Sequence, residues 1–365
     1  MVPVGAAAGD RSGSERCPRT RGRVTTRRAG RARQGRRGRA SGAGRETLTG
    51  VTRILTRSDL LSLLDPLACI QALREGFTAF TQNTVPGRRV RTDLPFPGTA
   101  TALLPGLLPG INAYTVKVNA KFPHASPALR GVICLHSGAD GELLALIDSA
   151  TVTAWRTGLA AALATHAIAR PAGDTPHTVG VIGAGAQAEL TLRGLRALRA
   201  WDRLVVHDTD PQRAAAFAHR HGGTVLPSPR QVAAEASTVV LATWTRTPLL
   251  HTDDLRPGQH LTSLGSDEPG KQELAPGVLT SARLIVDDVA LVAAHGALAG
   301  AGLPASTAAA SLSEILRGQL PARTHDQEIT AYTPVGLPWQ DLAVAWLAYQ
   351  QAETDKTGTT LDLLS

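Results

Sequence analysis

The run Thr178-Val-Gly-Val-Ile-Gly183-Ala184-Gly185-Ala186-Gln187-Ala188 sets an apolar stretch against a Gly-x-Gly-x-x-Ala loop. In such a loop the first glycine permits a tight turn and the second lets a pyrophosphate approach the backbone. The small third residue lets the next helix lie close to the strand. The N-terminal amides of that helix then face the phosphates. Gly183, Gly185, Ala186, Gln187 and Ala188 are therefore candidate dinucleotide contacts. The next apolar run ends in Val205-Val206-His207-Asp208, where a carboxylate can accept hydrogen bonds from an adenosine ribose. Asp208 favours NAD over NADP, because a 2′-phosphate would meet its charge; Arg213, close by in sequence, tempers that preference.

A second carboxylate, Asp267, stands in Gly265-Ser-Asp-Glu268-Pro-Gly-Lys271-Gln-Glu273-Leu, directly after the strand-like run HLTSLG. Ligands bind just past the carboxyl ends of parallel strands, and a carboxylate there can exchange protons with an amine or a water. A solvated turn residue would occupy the same place. Three cations, Arg91, Lys117 and Arg156, each interrupt an otherwise apolar or β-like run. Converging on one pocket they would hold a carboxylate, arginine by its two-pronged fork and lysine as a point charge. Taken singly, each more often lays its aliphatic stem over apolar surface.

Positioning these residues requires two kinds of layer. From Ser58 the apolar residues fall at helical spacing interrupted by Pro66, which predicts two helices. The runs RVRTDLPF, YTVKVNAKF, GVICLHS and ELLALIDS within residues 84–150 predict a small mixed or antiparallel sheet, with a turn over Gly138–Gly141. An Ala-rich helix over Ser149–Arg170 then leads to a linker, Pro171–Pro176. Beyond it, apolar runs starting at residues 178, 203, 238, 260 and 283 alternate with helical stretches, the signature of a parallel, doubly wound sheet. A strand within DQEITAY and an amphipathic helix over Trp339–Ala352 follow, and the last dozen residues are expected to fray. The expected fold class is α/β, a Rossmann-type doubly wound parallel sheet plus a smaller α+β domain.

With 43% hydrophobic and 19% charged residues the chain has ordinary globular composition. Its net charge of +8 comes from residues 1–50, where thirteen arginines face three acidic residues, so that the remainder is slightly acidic. This tail has no apolar period and is expected to be disordered. It reads as a basic arm for nucleic acid, as a transit peptide, or as a non-native extension, and the abrupt start of patterned sequence at Val51 favours the last. Cys17, Cys69 and Cys134 form no CxxC, so neither a disulfide framework nor a zinc site is expected, and a reducing cytoplasm is the simplest compartment. No membrane span is expected. Neither is a metal centre: His219-Arg-His221 reads as a solvated helix end. Aromatic residues, at 4%, do not interleave with basic ones, which argues against a nucleic-acid stacking surface.

Six blocks in order carry a resemblance: Arg91-Thr-Asp-Leu-Pro, Thr115-Val-Lys117-Val, Ala154-Trp-Arg156-Thr-Gly, the GAGAQA loop, Gly265-Ser-Asp267-Glu-Pro-Gly-Lys-Gln-Glu-Leu, and Val335-Gly-Leu-Pro-Trp-Gln-Asp341-Leu. Over residues 51–352 the chain resembles the ornithine cyclodeaminase and mu-crystallin family. The resemblance implies a substrate-binding and dimerisation domain from residues 51–170 completed by 336–365, a dinucleotide domain over 171–335, and a homodimer. It implies that Arg91, Lys117 and Arg156 bind a substrate carboxylate, and that Asp267, with Lys117, is catalytic. The implied activity is NAD-dependent conversion of an amino acid or cyclic imine, first of all ornithine cyclodeamination. There hydride leaves Cα for NAD, the terminal amine attacks the imine, ammonia departs and the hydride returns. An alanine dehydrogenase, a pyrroline-2-carboxylate reductase and a non-catalytic binding protein are the alternatives. The chain departs from the family's usual pattern at Gly158, at Thr333-Pro334 and in the loop after Lys117, and such loop changes leave the substrate open.

Overall fold

A computed structural model describes residues 50–79, 88–95, 98–122, 124–125, 127–171, 177–268, 270–363 and 365. The Arg-rich tail and most of the expected linker lie outside these residues. Strand β1 (Val51–Leu55) is followed by α1 (Arg57–Leu63), which Thr56 starts by a capping box with Asp59. Pro66 lacks an amide proton and so begins a new helix, α2 (Pro66–Ala79), as expected. Then come β2 (Arg88–Asp93), β3 (Thr99–Gly106), β4 (Ala113–Lys121), β5 (Leu129–Ser137), β6 (Leu143–Asp148) and the helix α3 (Ser149–Ile168). Strand β3, from TATALLPG, has no clean alternation and was not expected from the sequence.

The second half runs β7 (Thr178–Ile182), α4 (Ala186–Leu198), β8 (Arg203–His207), α5 (Pro211–His221), β9 (Thr224–Val225), α6 (Pro229–Glu235), β10 (Thr238–Leu241) and β11 (His260–Ser263). It continues through α7 (Pro276–Ser281), β12 (Arg283–Val286), α8 (Val289–His295), α9 (Ala297–Ala301), β13 (Ala310–Ser311), α10 (Leu312–Leu316) and β14 (Thr330–Tyr332) to α11 (Pro338–Asp355) and β15 (Thr359–Asp362). Strand β15 corrects the expectation of a frayed end: it pairs antiparallel with β1, which gives its backbone a hydrogen-bonded partner.

Two sheets result. One has the order β15-β1-β6-β5-β4-β3-β2, mixed because β1 and β6 run parallel. Helices α3 and α11 cover one of its faces through Trp155, Leu159, Leu342 and Ala345. The other sheet is parallel in the order β13-β12-β14-β11-β10-β7-β8-β9. Its central strands β7, β10 and β11 are buried along their whole length, as strands covered on both faces must be. The order reverses beside β7, so the crevice of this Rossmann-like α/β unit opens where Gly183 ends that strand. Helix α3 joins the two sheets by packing on α4, and the departure at Gly158 has its reason here, since a Cβ would run into Leu190. No helix among the described residues is long and apolar enough to cross a membrane.

Candidate active site

Gly183 adopts φ +92°, and a side chain there would press on the Ala242 carbonyl at 2.6 Å. Gly185 caps α4 with no side chain, and nothing lies within 4 Å of a Cβ built on it. The first amides of α4 therefore have no side-chain cap from Gly185 and open onto free space, which fits a pyrophosphate. Ala186 and Gln187 form the first turn, and Ala188 is buried against the sheet. Asp208 lies just past β8, where its Oδ2 accepts the Ala184 amide at 2.8 Å and its Oδ1 the Asp210 amide at 2.8 Å. Arg213 closes on the same carboxylate at 3.3 Å, so the acidic and basic signals read from the sequence meet at one point.

Lys117 and Arg156 also meet, and the residue that unites them was not singled out from the sequence. Asp341, buried on α11, places Oδ2 2.6 Å from Lys117 Nζ and Oδ1 3.3 Å from Arg156 Nε. The group carries a net charge of +1. Lys117 Nζ also donates to Thr153 Oγ1 at 3.3 Å, and Arg156 Nη1 to Gln340 Oε1 at 3.3 Å. Burial pulls the Lys117 ammonium down to about 8; Asp341 resists this, while the charges of Arg156 and Arg89 add to it. Arg156 lines a cavity with Thr157, Gln187, Asp267, Tyr332 and Gln340, and the Gly336 backbone lies against its guanidinium. Asp287 fixes that backbone by accepting the amides of Val335 and Gly336, and burial pushes its carboxyl up to about 6.

Arg91 does not join this group. Strand pairing sets Arg91 opposite Thr101 and Asn119, and its guanidinium turns to Asp93 at 2.9 Å. Arg89 occupies the place expected for it: Arg89, Leu103 and Lys117 lie in one cross-strand row. The two arginines share a face, but two residues of strand separate them by about 6.6 Å, and only register decides which one reaches the cleft. Arg89 Nη1 donates to the Asp267 carbonyl at 2.9 Å, and its Nη2 stands 3.9 Å from Asp267 Oδ2.

Asp267 follows β11 at the carboxyl edge of the parallel sheet, as expected, with Lys271 Nζ 2.9 Å from Oδ1. Burial pushes its carboxyl up, yet the charges of Lys271, Lys121 and Arg89 outweigh that and hold it below the usual carboxylate range. Glu273, fully buried, ties the ends of two strands together. Its Oε1 accepts the Thr243 amide at 2.6 Å, and its Oε2 accepts Ser263 Oγ and the Gly265 amide, each at 2.7 Å. Of His219-Arg-His221, read as a solvated helix end, His219 and Arg220 are exposed, whereas the His221 ring is only 9% exposed, bonds Glu189 at 2.9 Å and lies tilted against Phe217.

An archaeal alanine dehydrogenase dimer with bound NAD superposes with a TM-score of 0.79 at 26% identity, covering 86% of this chain and 100% of that one. The Thermococcus litoralis Delta(1)-pyrroline-2-carboxylate reductase, in complex with NADH and L-proline, gives 0.78 at 26% identity, covering 84% and 99%. The L-lysine cyclodeaminase of Streptomyces rapamycinicus is 31% identical over 222 residues, 59% of this chain and 63% of that protein. A family model matches residues 51–356, and with the dinucleotide loop, the buried cations and Asp267 all in place the chain belongs to the ornithine cyclodeaminase/mu-crystallin family.

Proposed function

We propose that the protein is an NAD-dependent enzyme that oxidises an α-amino acid to its imine, or reduces a cyclic imine in the opposite direction. The observation that carries this reading is a single cavity lined by Arg156 of the cationic group, Gln187 of the dinucleotide loop and Asp267. Bound NAD supplies the hydride acceptor. Arg156 and Lys117, with Arg89 beside them, hold the substrate carboxylate, and the +1 charge left over by Asp341 is what that carboxylate neutralises. Asp267, ionised by its three cationic neighbours, takes the proton that the amine must lose before hydride departs. Residues 51–170 with 336–365 serve substrate binding and dimerisation, and residues 171–335 hold the dinucleotide.

Ornithine cyclodeamination is the second reading, since it begins with the same oxidation and the cavity wall carries a carboxylate, Asp267, toward which a terminal amine would be drawn in competition with Lys271. Cofactor stoichiometry separates the two. A dehydrogenase or reductase changes the nicotinamide absorbance once per product, whereas a cyclodeaminase releases ammonia with no net change. Asp267→Asn keeps the shape and removes the base, so turnover should fall about 10²-fold with NAD still bound. Near-normal turnover in that variant would move the proton transfer to Glu268 or Lys271.

A further inference from the structure

Tyr332 is the last residue of β14, at the carboxyl end of the parallel sheet, and the carboxylate clamp and proton transfer just described do not use it. It stands opposite Thr262 of β11, whose hydroxyl bonds Thr165 of α3, so the phenol projects into the layer between the sheet and α3. There it lines the cavity that also holds Arg156, Gln187 and Asp267. The side chain is fully buried, yet its hydroxyl has no hydrogen-bond partner among the described residues. Asp287, whose charge acts on this phenol, is already saturated. Its Oδ1 accepts the Asp288 amide at 3.0 Å and its Oδ2 the Gly336 amide at 2.6 Å, and both oxygens share the Val335 amide at 3.1 Å. Gln340 Oε1, in the cavity wall, accepts Arg156 Nη1 at 3.3 Å and the Leu337 amide at 3.1 Å. Thr157 Oγ1, one residue beyond Arg156, belongs to the same wall and is likewise buried without a partner among the described residues. A buried donor left unmet costs free energy that an apolar side chain of the same shape would not.

We infer that Tyr332 is a substrate-binding residue whose hydroxyl donates to the substrate carboxylate beside Arg156. The inference rests on the proposed amino-acid oxidoreduction and adds a contact to its site. The incoming group has to be an acceptor, because Arg156, the cation that acts on the phenol, offers only donors. A carboxylate, with about four lone-pair sites on its two oxygens, can take a guanidinium and a phenol O–H at once. Asp267 is then left to the amine. Burial, helped by the charge of Asp287, raises the phenol well above its ordinary range, so it remains a donor wherever the substrate carboxylate is ionised.

Tyr332→Phe removes the oxygen and keeps the ring. The melting temperature of the full chain loaded with NAD, followed over a propionate series at constant ionic strength, reads folding and carboxylate binding together without relying on turnover. Without propionate the variant should melt no lower than the unsubstituted protein, because no bond within the protein is lost. Its dissociation constant for propionate should rise about tenfold, with NAD affinity unchanged. Unchanged propionate affinity overturns the inference. So does a lower melting temperature in the absence of propionate, since a hydroxyl that stabilises the empty cleft already has a partner, such as a structural water. A loss of NAD affinity overturns it too: alone it would assign the hydroxyl to the cofactor, and with a propionate loss it would report a distorted cleft. If the propionate effect holds but the unsubstituted protein turns over no amino or imino acid, the proposed reaction falls and the contact stands. Turnover of an amino acid with the same KM in both proteins would do the reverse.

Discussion

Arg89 and Arg91 share a residue type and a sheet face, but only Arg89 stands in the row of Lys117 and reaches Asp267. Replacing each by methionine should therefore give opposite results. Arg89→Met should weaken binding of a carboxylate substrate by about 1.5 to 3 kcal/mol, the range for hydrogen bonds to charged groups, and Arg91→Met should change it little. Equal losses in steady-state kinetics would refute this placement. Lys117 adds a pH dependence whose sign follows from burial. Its folded pKa of about 8 lies below the ordinary 10.5, so the folded state gives up the proton first. As pH rises through about 8 the ammonium is lost and kcat/KM for the carboxylate substrate should fall, while NAD affinity stays level. Over the same window, up to about 10.5, the unfolded chain binds more protons, so the stability contribution of this group rises with pH. Activity and thermal stability moving in opposite directions is the signature to look for; a fall in both would assign the transition to another group.

At the level of the element, the turn between β7 and α4 separates two glycines that look alike in sequence. Gly183 has a left-handed φ and the Ala242 carbonyl in its side-chain direction, so Gly183→Ala should destabilise the fold by about 1 to 3 kcal/mol. Gly185 has extended backbone angles and empty space where a Cβ would go. Gly185→Val should leave the melting temperature unchanged and weaken NAD binding at least about tenfold, because the branched side chain enters the space that faces the helix amides. A variant that binds NAD normally would show that the phosphates lie elsewhere.

For the whole molecule, the face of the mixed sheet opposite α3 and α11 presents Val90, Ala102, Val118 and Val132 in one registered row, with Val90 54% and Val118 48% exposed among the described residues. An apolar face of this kind calls for a partner layer. The proposed homodimer supplies it with a second copy. Val118→Glu should then convert the protein to monomer in analytical ultracentrifugation without lowering the NAD affinity of the Rossmann-like unit. A variant that remains dimeric would place the interface on another surface.

The dinucleotide loop, the strand preceding it, Asp208 and the position of Asp267 were all legible in the sequence. Each depends on a strand, a turn and a helix contiguous in the chain, so covalent distances and side-chain period carry the information. Arg89, Asp341 and Glu273 were not. Which arginine of Arg88-Arg89-Val90-Arg91 enters the cleft depends on how β2 pairs with β3, a strand that itself has no clean alternation. Asp341 reaches Lys117 and Arg156 only because α11 returns across the first sheet, and a buried carboxylate on a helix carries no local mark of the cations it will meet. Glu273 closes a knot between strand ends that are adjacent in space through parallel pairing alone. The residue types needed for the chemistry were present in the sequence; register and long-range packing decided which of them face one another.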